Sequence, residues 1–138
     1  MTVEPPLGSG RFGRVPRRDS SARSERDRLN FVAELAKIAE RLERVRQSDR
    51  GEFHDGSPTY DSASIAVVRL AGLLERSEFS QARRALTDEE SRGLQTIRNI
   101  ISHGGYADMN DDVFWMTATT YLPGLVVRLG DTTAREES

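Results

Sequence analysis

FVAELAKIAERLERV, residues 31–45, sets the fold class. Phe31, Leu35, Ile38, Leu42 and Val45 recur at steps of 4, 3, 4 and 3, the spacing that stacks side chains on one face of an α-helix. Charged and small residues fill the positions between them. The pattern predicts a helix from about Glu25 to Gln47 with a single apolar seam, and such a seam is stable only when other helices cover it.

Those partners follow along the chain. SDRGEFHDGSPTYDS at 48–62 is punctuated by Gly and Pro and reads as a loop; within it His54 and Asp55 form a neighbouring pair best taken as solvated. A second helix is expected from a cap at Asp61 or Ser62 through SIAVVRLAGLLERSEF. Val67, Leu70, Ala71 and Leu74 give it one stripe, while Ile65 and Val68 carry apolar surface round to the side where Gly72 would admit a close neighbour. Apolar surface that wide predicts the central helix of a bundle. Residues 80–86 are a connector.

A third helix starts at Thr87, whose hydroxyl and the carboxylate of Glu90 three residues on form a capping box, with Asp88 and Glu89 at the positive end of the dipole. Leu94, Ile97 and Ile101 mark its inner face, with Ile100 beside them, and Gly104-Gly105 ends it, because glycine alone takes a left-handed cap without strain. A fourth helix follows Asn110–Asp112 and carries Val113, Trp115, Met116, Tyr121 and Leu122. Pro123-Gly124 should kink or break it before LVVRLG. With no alternating pattern and no repeat, the fold expected is all-α, an antiparallel bundle of four to five helices spanning residues 25–130. Residues 1–24, rich in Gly, Pro, Ser and Arg, are expected to be a disordered basic tail, either a linker or an arm touching RNA or a partner, and residues 131–138 a frayed C-terminal tail.

Composition removes several functions. The chain of 138 residues has no cysteine and only two histidines, His54 and His103, so thiolate and histidine-rich metal sites are out and no metal or cofactor is expected. No apolar run reaches the roughly 20 residues of a membrane span, and no apolar segment follows the N-terminal arginines as a secretory signal would require; the expected location is cytoplasmic. Net charge is −2, divided as +3 over residues 1–30 and −5 over the rest. An acidic core disfavours the broad phosphate-tracking surface of duplex binders, so any nucleic-acid chemistry must rest on a few placed arginines. Asp108, Asp111 and Asp112 read as a solvated helix N-terminus rather than a metal site, and Trp115 and Tyr121 as packing residues rather than base-stacking platforms.

Arg98 and His103 are the residues with chemistry to offer. Five positions apart, they diverge by about 140° on a regular helix. They can share a face only if the helix end unwinds, which Gly104-Gly105 would permit, or if each works with its counterpart in a second chain. The plainer alternatives are that Arg98 pairs with a nearby carboxylate and that His103 caps the last carbonyls of its helix.

LQTIRNIISHGGYADMNDDVFWMTATTYLPGLVVRL, residues 94–129, resembles the C-terminal half of HepT-like proteins, a branch of the HEPN superfamily. Members share an arginine, a polar residue after it and a histidine four to six positions beyond the arginine, matched here by Arg98, Asn99 and His103. The downstream acidic stretch, the Val-aromatic-Trp run at 113–115 and Leu122-Pro123 also match; the likeness extends over residues 87–129 and, more loosely, over 27–79, where "AVVRLAGLLE" agrees. The resemblance implies metal-independent endoribonuclease activity in a toxin–antitoxin or phage-defence pair, with Arg98 and His103 catalytic, Asn99 orienting substrate RNA, a homodimer completing the site, and a minimal nucleotidyltransferase as antitoxin. The family's tyrosine, which that antitoxin modifies with AMP, corresponds to Tyr106, although His103-Gly104-Gly105-Tyr106 is one residue longer than the family's spacing. The alternative from a different class is a HEPN domain without catalysis, a helical binding or dimerisation module for RNA, a nucleotide or a partner nucleotidyltransferase.

Overall fold

A computed structural model describes residues 17–137. Its helices are α1 (Arg17–Arg46), α2 (Pro58–Glu75), α3 (Asp88–Ser102), α4 (Asp111–Met116) and α5 (Leu122–Glu137), with a π-helical turn, Thr117–Tyr121, joining the last two. Among the described residues there is no strand, and the architecture is an all-α bundle. The expected connector at 80–86 includes one helical turn, Ser80–Arg83.

The seam of α1 is the axis of the core: Phe31, Leu35, Ile38, Leu42 and Val45 are all buried. They meet the α2 stripe Val67, Leu70, Ala71 and Leu74, buried in turn. Glu34 of α1 accepts two hydrogen bonds from Arg69 of α2 (2.7 and 2.8 Å), and Phe31 packs on Phe79 beyond the end of α2 with ring centroids 5.0 Å apart. These pairings make α1 and α2 antiparallel. α2 lies between α1 and α3, and α5 returns along the other side of α1.

Several boundaries differ from the sequence reading. α1 begins at Arg17, so residues 17–24 belong to the helix and not to a disordered tail; residues 1–16 lie outside the described residues. Helix propagation costs little once the Phe31–Val45 core has paid nucleation, and Arg28 ties back to Glu25 one turn earlier (2.5 Å). α2 begins at Pro58 rather than after Asp61 or Ser62. Ser57 Oγ accepts the Tyr60 amide, and Pro58 occupies the first turn, where a missing N–H is harmless. Ile65 and Val68 are exposed and nothing lies against Gly72, so α2 is central through its α1 and α3 faces and the third face stays open.

Pro123 does not break the last helix. The π turn lets the Leu122 amide reach the Thr117 carbonyl, and the helix continues through Pro123, which has no N–H to place, into α5. Phe114, Ala118, Leu122 and Leu125 are buried, while Val113, Met116 and Tyr121 are exposed. α5 then continues through residues 131–137, with Thr133 buried, so this segment is helical and not a frayed tail.

The capping box stands as expected: Thr87 Oγ1 accepts the Glu90 amide (3.0 Å) and Glu90 accepts the Thr87 amide (2.8 Å). Glu90 also accepts two bonds from Arg128 of α5 (2.7 and 2.8 Å). The Arg128 bonds first, and the Thr87 amide second, hold the Glu90 carboxyl down at about 2 against an ordinary 4.5. A depressed acid stabilises the fold above its unfolded value and loses that contribution as pH falls through its folded value. Glu90→Gln, which keeps the cap but not the charge, should therefore lower unfolding free energy by about 1 kcal/mol at pH 7. The gap should narrow between pH 4.5 and 2, as read by urea unfolding at each pH.

Candidate functional site

α3 carries the candidate residues, and the way it ends decides their directions. The Gly105 amide donates to the Ile100 carbonyl (2.9 Å) and the Gly104 amide to that of Ile101 (3.2 Å). With Gly104 at φ +67°, this pair of bonds is a closed Schellman cap. Gly104 is the position only glycine occupies freely. The helix end is thus locked rather than unwound, and helical geometry keeps Arg98 and His103 about 140° apart. A single chain does not bring them together.

His103 stands at the C-cap position of α3, exposed. The carbonyls of Ile100 and Ile101 that a capping side chain would satisfy are already taken by the two glycine amides. The imidazole has no hydrogen bond among the described residues, so capping does not account for it. Asn99 is exposed on the turn before, its carbonyl accepting the His103 amide (3.1 Å) and its side-chain amide directed to no partner among the described residues.

Arg98 faces α2. Its Nη2 donates to Oε2 of Glu75 (2.8 Å), the last residue of α2. The side chain keeps 28% of its surface, while Nε is buried without a partner. The expected alternative of a carboxylate partner is therefore realised, and Glu75 is a site residue that the sequence reading missed. A signal existed: an acidic residue ends α2 with no basic residue in the last turn, against the preference of the helix dipole.

Tyr106 begins the 3₁₀ turn Tyr106–Asp108 and is half-buried, its ring edge-on to Tyr60 at 5.7 Å. Tyr60 donates its hydroxyl to Asp111 (2.9 Å); burial first, and then this bond, push its phenol well above the ordinary range. Phe53, Phe114 and Trp115 complete the aromatic cluster. Asp112 accepts from Arg50 (2.5 Å). Both helix-start aspartates are thus engaged across the bundle end, tying the loop after α1 to the start of α4. Among the described residues no group of three or more acidic or histidine side chains is arranged to hold a metal ion, and no helix is long and apolar enough to cross a membrane.

Between α3 and the α4–α5 segment runs a groove of about 880 Å³, floored by Leu94 and Leu125 and walled by Ile97, Val113, Tyr121 and Arg128. Met116, exposed, lies on the same segment. Comparison with protein-family models, curated proteins and solved structures returns no match to this chain.

Proposed function

We propose that the protein is a metal-independent endoribonuclease, acting as a two-fold dimer, in a toxin–antitoxin or phage-defence pair. The observation that carries this is the imidazole of His103, without a hydrogen bond among the described residues, on a helix end whose capping is completed by backbone alone. Transesterification of RNA needs a base to take the 2′-hydroxyl proton, an acid to protonate the leaving 5′ oxygen, and positive charge on the crowded phosphate. Imidazole serves either proton transfer near neutrality, and a guanidinium fork fits the phosphate. One chain supplies one such histidine, turned away from its arginine. A two-fold axis beside α3 would set two His103 and two Arg98 around one cleft, with Asn99 orienting substrate. The exposed apolar residues Val113, Met116 and Tyr121 offer surface for a second copy.

The partner class follows from the HepT-like resemblance: a minimal nucleotidyltransferase antitoxin, with Tyr106 as the site for AMP. Half-buried against Tyr60, Tyr106 would have to turn outward for that reaction.

One observation favours a second reading. Glu75 neutralises Arg98 in the resting chain, as befits a non-catalytic HEPN module that binds RNA, a nucleotide or a partner enzyme. Product chemistry separates the two. The purified chain incubated with RNA in EDTA should generate 2′,3′-cyclic phosphate ends, since the 2′ oxygen is the attacking group. A 3′-hydroxyl product excludes this mechanism, and absence of cleavage at any concentration turns the assignment to the binding module.

A further inference from the structure

We infer that Glu75 is the positioning residue for Arg98, an inference that rests on the ribonuclease reading for its functional consequence but not for its geometry. Glu75 closes α2, where helix carbonyls already concentrate negative charge and where no basic residue of the last turn offsets it. Its carboxylate is stabilised instead from α3. Arg98 Nη2 donates to Oε2 at 2.8 Å, and Gln95 Nε2, one turn before Arg98, approaches the same oxygen at 3.5 Å. A disfavoured placement on one helix, met by two side chains of the next, is the arrangement expected where position serves something other than helix stability.

The bond has a direct effect on what the guanidinium can do. A free arginine samples many rotamers, and ordering it on phosphate costs entropy. Glu75 removes that freedom in advance. It takes Nη2 on one side while Nε is sunk below the surface without a partner, which leaves the Nη1 side of the fork as the part able to meet an incoming phosphodiester. Its negative charge stays next to the cation, so the pair trades some attraction for RNA against a fixed orientation. Glu75 touches neither substrate nor reacting atoms; it acts through Arg98.

Two variants and two readouts test this. Glu75→Gln retains an acceptor for Nη2, whereas Glu75→Ala removes it. In steady-state RNA cleavage, Glu75→Ala should lose about 100-fold in kcat with KM changed much less, and Glu75→Gln should stay close to wild type. In nitrogen–proton NMR, the Arg98 Nε–H signal, assigned by its disappearance in Arg98→Lys, should exchange slowly with water in wild type and Glu75→Gln and rapidly in Glu75→Ala. Wild-type kcat in Glu75→Ala overturns the positioning role. If the wild-type chain cleaves no RNA, the ribonuclease reading fails by itself and the NMR signal decides: slow exchange persisting in Glu75→Ala overturns the inference, and its loss sustains it.

Discussion

His103→Ala should reduce RNA cleavage by about 10²- to 10⁴-fold, the range that loss of a general acid or base produces. The upper part of the range is expected here. A two-fold cleft draws both of its imidazoles from one gene, so a single substitution removes acid and base together. The same change should leave the fold alone. The ring is exposed and unbonded among the described residues, and substitutions of that kind alter stability by about 0.5 kcal/mol or less. Initial rates measured beside thermal unfolding on the same preparation make the comparison. Full activity in His103→Ala would remove imidazole chemistry from the protein, and a large loss of melting temperature would mean that the ring has a structural task.

The apolar seams were legible because a helix writes its buried face into local spacing. All five seam residues of α1 and all four of the α2 stripe are in the core. The same holds for the capping box of Thr87 and Glu90 and for the left-handed Gly104, since caps involve residues three to five apart. Legibility fails where phase depends on something distant. Val113 and Met116 look as apolar as Phe114, yet Phe114 meets the rings of Phe53 and Tyr60 from other elements and is buried, while the other two stay exposed. Ser57 followed by Pro58 is a local start signal for α2, a cap residue with proline in the first turn, a few residues before Asp61 and Ser62.

The candidate site divides in the same way. Residue identity and spacing single out Arg98 and His103, and helical geometry already says that they diverge. What spacing leaves open is whether the end of α3 also unwinds to swing His103 toward Arg98, because glycine permits either outcome. Nor can spacing connect Arg98 to Glu75, 23 residues away on another helix. That contact exists only once α2 and α3 have packed. Sequence therefore proposes the chemistry, and tertiary structure determines which directions the groups can serve.

Phe114→Ala is expected to cost about 3–5 kcal/mol, the range for emptying a fully buried aromatic position. Phe114 is wholly buried and touches the two rings that join the bundle end: Phe53 at 5.2 Å and Tyr60 at 5.0 Å and perpendicular. Edge-to-face packing of this kind adds about 0.5–1.5 kcal/mol beyond burial, and neighbouring rings held by other bonds cannot collapse into the space. The Tyr60 ring is fixed through its hydroxyl by Asp111, and the main chain at Phe53 by the Arg50 bond to its carbonyl, so the cavity should persist and keep the cost high. Tyr60 also carries Tyr106 on its other side, and Tyr106 lies just beyond the Schellman cap that orients His103. The damage should therefore reach the candidate site: hydrogen exchange of the Gly104 and Gly105 amides should accelerate more than that of the α1 seam, which contacts α2 independently. Urea unfolding gives the stability change, and exchange on the folded variant gives its location. A loss below about 1 kcal/mol would show that the ring cluster relaxes around the gap. Uniform acceleration across the chain would show that it does not hold the His103 end in particular.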